Sequence, residues 1–132
     1  MKAVAERLVQ GCLILAALIH LLPVIGVVGS SRLTALYGIP IDGPDLAILM
    51  RHRAVLFGIL GMVMVGGAMR ASLRGAAILV GLASVASFLA LAVATGQYNA
   101  QLGKVVAVDV GALVLLLAAA VIHALRGGGP RS

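Results

Sequence analysis

The run LMRHRAVLF (residues 49–57) sets Arg51, His52 and Arg53 side by side within an otherwise apolar stretch, and the run VVAVDVGAL (residues 105–113) holds one acid, Asp109. His20 lies in a third apolar run, three residues before Pro23. Guanidinium, imidazole and carboxylate groups in such surroundings can do four things. They can neutralise one another as an ion pair, bind a polar or anionic ligand, relay a proton, or, through His20 and His52, hold a haem. On a helix Arg51 and Arg53 project about 200° apart, so they cannot share a face. The shallower Arg51 suits a position snorkelling to the headgroups, which turns Arg53 inward and leaves it in need of a partner.

The elements that must position these groups are set by composition. The chain of 132 residues is 62% hydrophobic and 11% charged, and its mean hydropathy is +1.17. Soluble domains carry about 25% charged residues, so this is the composition of an integral membrane protein. Four apolar segments, 8–29, 46–69, 75–95 and 105–125, each approach or exceed the ~20 residues that cross a bilayer as a helix. The expectation is an all-α, four-helix transmembrane bundle forming a single domain over residues 1–132. Between the spans lie Gly-, Pro- and Asp-containing SSRLTALYGIPIDGPD, the basic turn RASLRG and polar GQYNAQLGK. Pro44 and Asp45 suit the first turn of the second helix, and RGGGPRS reads as a frayed tail. Lys2 and Arg7 before an apolar run resemble a signal peptide, but that run is longer than a signal core, so it reads as a retained helix.

Four spans bring both termini to one side, together with Lys2, Arg7, Arg70, Arg74, Arg126 and Arg131. The other side has Arg32, Arg51, Arg53 and Lys104, offset by Asp42 and Asp45. Six bases against four place both termini in the cytoplasm of a bacterial inner membrane. If the second helix starts at Pro44 or Asp45, its basic triplet lies roughly 9–12 Å along it. Starting it after Arg53 would leave a span too short to cross. Asp109 stands at a similar depth below the same surface. Each charge alone costs about 2.5–3.5 kcal/mol on insertion scales, so Arg53–Asp109 is the expected ion pair, with His52 beside it. Tyr37, Gln97, Asn99, Gln101 and His20, with Ser84 and Ser87 deeper, could line a polar cavity opening outward beneath the first loop. Gly103, Ala107 and Gly111 form a small-residue stripe opposite Asp109, suited to helix packing or to a homo-oligomer.

Several chemistries are excluded or weakened. Lysines and arginines scattered at span ends are topology signals, and no nucleic-acid surface is expected. The single Cys12 allows no intrachain disulfide and reads as a small buried hydrophobe. No metal site is expected, because no His, Cys and carboxylate cluster has ligand spacing. No cofactor is expected; haem b through His20 and His52 is the alternative.

The runs HLLPVIGVVG, LTALYGIPID, LAILMRHRAVLFGILG and YNAQLGKVVAVD resemble short proteobacterial inner-membrane proteins that are broadly DoxX-like. The resemblance covers nearly the whole chain, and RHRAVLFG is its most distinctive block. It implies the four-helix membrane fold and draws attention to His52, Arg53 and Asp109, but it implies no reaction. Members have been labelled phosphopantetheine adenylyltransferase. That activity needs a soluble nucleotide-binding domain with an HxGH-type motif, and this chain has neither. The leading expectation is a non-enzymatic membrane protein that binds a small or lipid-like ligand or serves as accessory subunit of a larger membrane complex. A small membrane enzyme or redox subunit using His52, Arg53 and Asp109 is the alternative, as is an oligomeric transporter or channel.

Overall fold

Pro23 has no N–H to donate, and its ring crowds the carbonyl four residues back, so an α-helix cannot run through it undisturbed. Helix α1 (Lys2–Leu21) stops two residues before it, and the chain tightens into a 3-10 segment over Leu22–Val27. The computed structural model describes residues 1–127. It continues with α2 (Ser30–Tyr37), α3 (Pro44–Met69), α4 (Arg74–Thr95) and α5 (Ala100–Gly127). Four stretches are long and apolar enough to cross a membrane: Lys2–Val27, Pro44–Met69, Ala71–Thr95 and Ala100–Gly127.

The sequence expectation differs from this in four places, the first being that α1 starts at Lys2 rather than at residue 8. The segment expected as a loop between the first two spans contains α2. It ends at Gly38, whose φ of 67° is the left-handed conformation that closes many helices. The polar stretch expected as the third loop shrinks to Gly96–Asn99, because α5 begins at Ala100 and takes Gln101 and Lys104 into its first turns. At the other end α5 runs on to Gly127; the rest of the tail, with Arg131, lies outside the described residues. Pro44 stands in the first turn of α3 and Asp45 follows it, as expected.

The long helices form a ring. Helix α1 packs against α3 and α5, α4 also packs against α3 and α5, and the pairs α1/α4 and α3/α5 lie across the diagonals. Small residues make the close contacts. Ala16, Ala17, Ala77, Ala112 and Ala119 are buried together around Leu13, Met64 and Leu116. A Cβ on Gly61 would stand 3.3 Å from the Ala17 carbonyl, and one on Gly67 would collide with Ala77, so α3 meets α1 and α4 through bare backbone. Outward, Ile48, Ile59, Met62, Leu79, Leu91, Val93, Val114 and Val121 are exposed. Apolar surface on every flank is a liability in water and the ordinary condition of helices facing lipid.

The end holding the N-terminus is tied by charge. Glu6 accepts from Arg74 Nη2 and from Arg126 Nη2, each at 3.4 Å, which joins the starts of α1 and α4 to the end of α5. The Arg74 side chain is 3% exposed, and its Nε also donates to the Gly67 carbonyl at 3.2 Å. These contacts place the start of the first long helix and the end of the fourth at one end of the bundle, as four crossings require. Glu6→Gln should lower stability by about 1.5–3 kcal/mol, because Arg74 is left with a neutral acceptor in a buried place. Arg126→Gln should cost under about 1 kcal/mol, since that arginine is partly solvated. Thermal unfolding in detergent compares them, and equal losses would mean that the burial of Arg74 is not what sets the difference.

Candidate functional site

Arg53 and Asp109 each stand nine residues past the first residue of their helices, α3 at Pro44 and α5 at Ala100. At 1.5 Å per residue both lie roughly 13–14 Å down the bundle. His20, near the end of α1, enters the same level from a third side. Between them is a cavity of about 270 Å³, lined by these three residues together with Tyr37, Gln101 and Lys104, and closed apolarly by Ile19, Leu22, Phe57, Val105 and Val108 among others. Helix α2 covers it through Ala35, Leu36 and Tyr37. The cover expected from the first loop is therefore present, as a helix.

The expected Arg53–Asp109 ion pair is not made. Among the described residues the ion pairs within 4.0 Å are the two to Glu6 at the opposite end. The reason is the helix order: α3 and α5 are diagonal in the ring and make no close backbone contacts. Neighbouring helices pack at 8–10 Å, so diagonal axes stand roughly 12–14 Å apart, and the two side chains meet only if both extend toward each other. Arg53 turns inward as expected, but its guanidinium meets aromatic rings. It lies 5.1 Å from the Tyr37 centroid, 5.0 Å from Phe57 and 5.8 Å from Phe88. Three of the chain's four aromatic side chains thus surround one charge. Each such contact is worth about 0.5–2 kcal/mol, more as water is excluded.

His20 is 3% exposed, and its Nδ1 lies 2.9 Å from the Ala16 carbonyl. A carbonyl only accepts, so Nδ1 carries the proton, and in the neutral ring the lone pair is left on Nε2. Nε2 has no protein partner, and no polar side-chain atom of the described, non-exposed residues is both buried and unpartnered. Nε2 therefore opens to the cavity. The ring also packs 5.7 Å from Phe57. Burial raises the Tyr37 phenol above its ordinary value, the Arg53 guanidinium opposes that and Asp109 adds to it. Tyr37 accordingly remains a neutral donor at physiological pH.

The remaining sequence candidates divide. Arg51 is exposed and donates from Nε to the Val27 carbonyl at 2.9 Å, an outward position consistent with the interfacial role expected of it. His52 is exposed and does not line the cavity, so the structure does not gather His20 and His52 into one axial pair. Among the described residues no three His, Cys, Asp or Glu side chains group as metal ligands. Gln97 is exposed, outside the cavity. Ser84 and Ser87 also stay out of it; the Ser87 hydroxyl donates to the Ser84 carbonyl. Gly103 faces the Tyr98 ring, Ala107 and Gly111 are exposed, and a Cβ on Gly111 would meet nothing within 4 Å, so the stripe lies on the outer face of α5. Phe57 and Phe88 were missed. Phe57 was within reach, being four residues after Arg53 on the same helix face, whereas nothing in the sequence pointed to Phe88. Lys104, treated as a loop residue, also faces the cavity.

Asn99 does not line the cavity; it holds the cover in place. Its Oδ1 accepts from the Leu102 N–H at 2.7 Å, capping α5, while Nδ2 donates to the carbonyls of Tyr37 and Gly38 at 2.9 and 3.2 Å. At Gly38 the φ of 67° favours glycine, while the nearby Gln101 side-chain end could move aside for a Cβ. Asn99→Ala should lower stability by about 1–2 kcal/mol and speed proteolysis between α2 and α3, whereas Asn99→Asp should keep the cap and lose the clamp. Limited proteolysis with thermal unfolding separates the two. Equal protection of α2 in all three proteins would exclude the clamp.

No protein-family model matches this chain, and neither does any curated protein or solved structure. The DoxX-like resemblance therefore gains no support from these comparisons, and what can be concluded about function rests on the residues and their arrangement.

Proposed function

We propose that this chain is a multi-pass protein of a bacterial inner membrane, with both termini cytoplasmic. In this reading it holds a small or lipid-like ligand, without catalysing its conversion, in the cavity beneath α2, alone or as accessory subunit of a membrane complex. The observation that carries the reading is the combination of cavity and unmade bonds. Arg53, Asp109 and the Nε2 of His20 meet at one depth inside membrane-length helices, and none has an ion-pair or hydrogen-bond partner there among the described residues. Charged groups at such depth are costly unless something complements them, and a bound molecule can do so. A half-buried acid facing a cavity within a span also suits a proton-coupled carrier. Ion flux in liposomes that is lost in Asp109→Asn would favour that second reading.

Native mass spectrometry from a mild detergent is expected to find a small molecule retained on the wild type and lost from Arg53→Gln. Wild-type protein that carries nothing, even after incubation with membrane extract, would refute the ligand reading. Orientation is tested separately. Reporter fusions after Arg126 and within the turn at residues 70–75 should both report cytoplasm, the side with more bases. A periplasmic signal from either would invert the assignment and face the cavity inward.

A further inference from the structure

We infer that the cavity takes a single-chain amphiphile whose head carries one negative charge and, next to it, a hydrogen-bond donor: a hydroxylated fatty carboxylate. This rests on the ligand-binding reading and specifies its chemistry.

The aromatic rings of Tyr37, Phe57 and Phe88 crowd Arg53. What the guanidinium still offers is its fork of N–H donors, unbonded to protein among the described residues. That fork matches the two oxygens of a carboxylate. Opposite it stand acceptors, the Asp109 side chain in its carboxylate form and the free lone pair of His20 Nε2. A bare anion drawn to Arg53 would also face Asp109 and be repelled by it. A head that adds a hydroxyl beside its carboxylate resolves that conflict, since the hydroxyl donates to Asp109 or His20 while the carboxylate faces Arg53.

Charge and size narrow the ligand further. By formal charge, with histidine counted as neutral, Arg53 and Lys104 against Asp109 leave the cavity lining one positive charge. A monoanion cancels it, whereas a zwitterionic or neutral head leaves it in place. The apolar wall supplied by Ile19, Leu22, Phe57 and Val108 suits a hydrocarbon segment. At about 270 Å³ the cavity falls just under the ~300–1,000 Å³ usual for small-molecule pockets, enough for a head and the first carbons of one chain. The rest of the chain would pass between helices into lipid.

The test holds the chain length at ten carbons and changes the head, comparing 3-hydroxydecanoate, decanoate, decanol and decyltrimethylammonium. Adducts on the intact protein are counted by native mass spectrometry at matched mole fractions in the micelle. 3-Hydroxydecanoate should occupy the protein at least fivefold more than decanoate, and decanoate at least fivefold more than decanol or the cation. Asp109→Asn should narrow the gap between the two acids, because the repulsion that penalises decanoate is gone while an acceptor remains, and Arg53→Gln should bring both down to the level of decanol. Decanol or the cation matching the acids would overturn the anionic head. Decanoate matching its hydroxylated form would overturn the donor. Both of these results leave the cavity as a ligand site, whereas wild type that binds none of the four overturns the ligand-binding reading as well. The head-group series uses wild-type protein alone, so a variant that fails to fold does not blunt the test.

Discussion

A guanidinium roughly 13–14 Å inside a bundle of apolar helices must be complemented without bulk water. At Arg53 the complement comes from the negative faces of Tyr37, Phe57 and Phe88, contributed by α2, α3 and α4. The arrangement of this end of the molecule depends on that contact. It requires α2 to fold back so that Tyr37 can reach the site, and it requires α4 to present Phe88 at the level of Arg53. Rings attract a cation without neutralising it, so the net charge persists and the donor edge remains available. A carboxylate in the place of those rings would have closed the site.

The two ends of the bundle treat charge in opposite ways. At the terminal end Arg74 is as buried as any polar group in the protein, and it is satisfied by Glu6 and by the Gly67 carbonyl. Three helices are locked together there. At the other end Arg53, Asp109 and His20 surround a space and leave bonds unmade, while the surrounding segments are firmly held. Asn99 caps α5 and clasps the last carbonyls of α2, and Arg51 binds the end of the 3-10 segment after α1. Such a division between a closed, structural end and an open, pre-organised one is expected where binding depends on groups held ready before the ligand arrives.

Much of this was legible in the residues. Hydropathy and length marked out the four spans and Pro44 the start of the second, whereas the first, expected to run to residue 29, gives up its α-helix at Leu21 ahead of Pro23. The 200° between neighbours-but-one turned Arg53 inward and Arg51 outward, whereas the depth of Asp109 was counted from near residue 105 and α5 starts at Ala100, which puts both residues nine positions into their helices. The same angle separated Asp109 from Ala107 and Gly111, which lie exposed on the outer face of α5. Helix α2 was hidden because eight residues with mixed polarity carry little periodic signal. The role of Glu6 was also hidden, since nothing local shows that the start of α4 and the end of α5 converge on it.

By itself the sequence determined the order of residues along each long helix, its approximate length and the angles between its side chains. Those are properties of a regular helix with 1.5 Å rise and 100° per residue, and they follow from position alone. Which helices stand side by side was decided only in the tertiary structure, by small residues such as Gly61, Gly67 and Ala77 that let particular backbones touch. That ring order puts α3 and α5 on a diagonal, and across it a pair that depth alone would join becomes the two walls of a cavity.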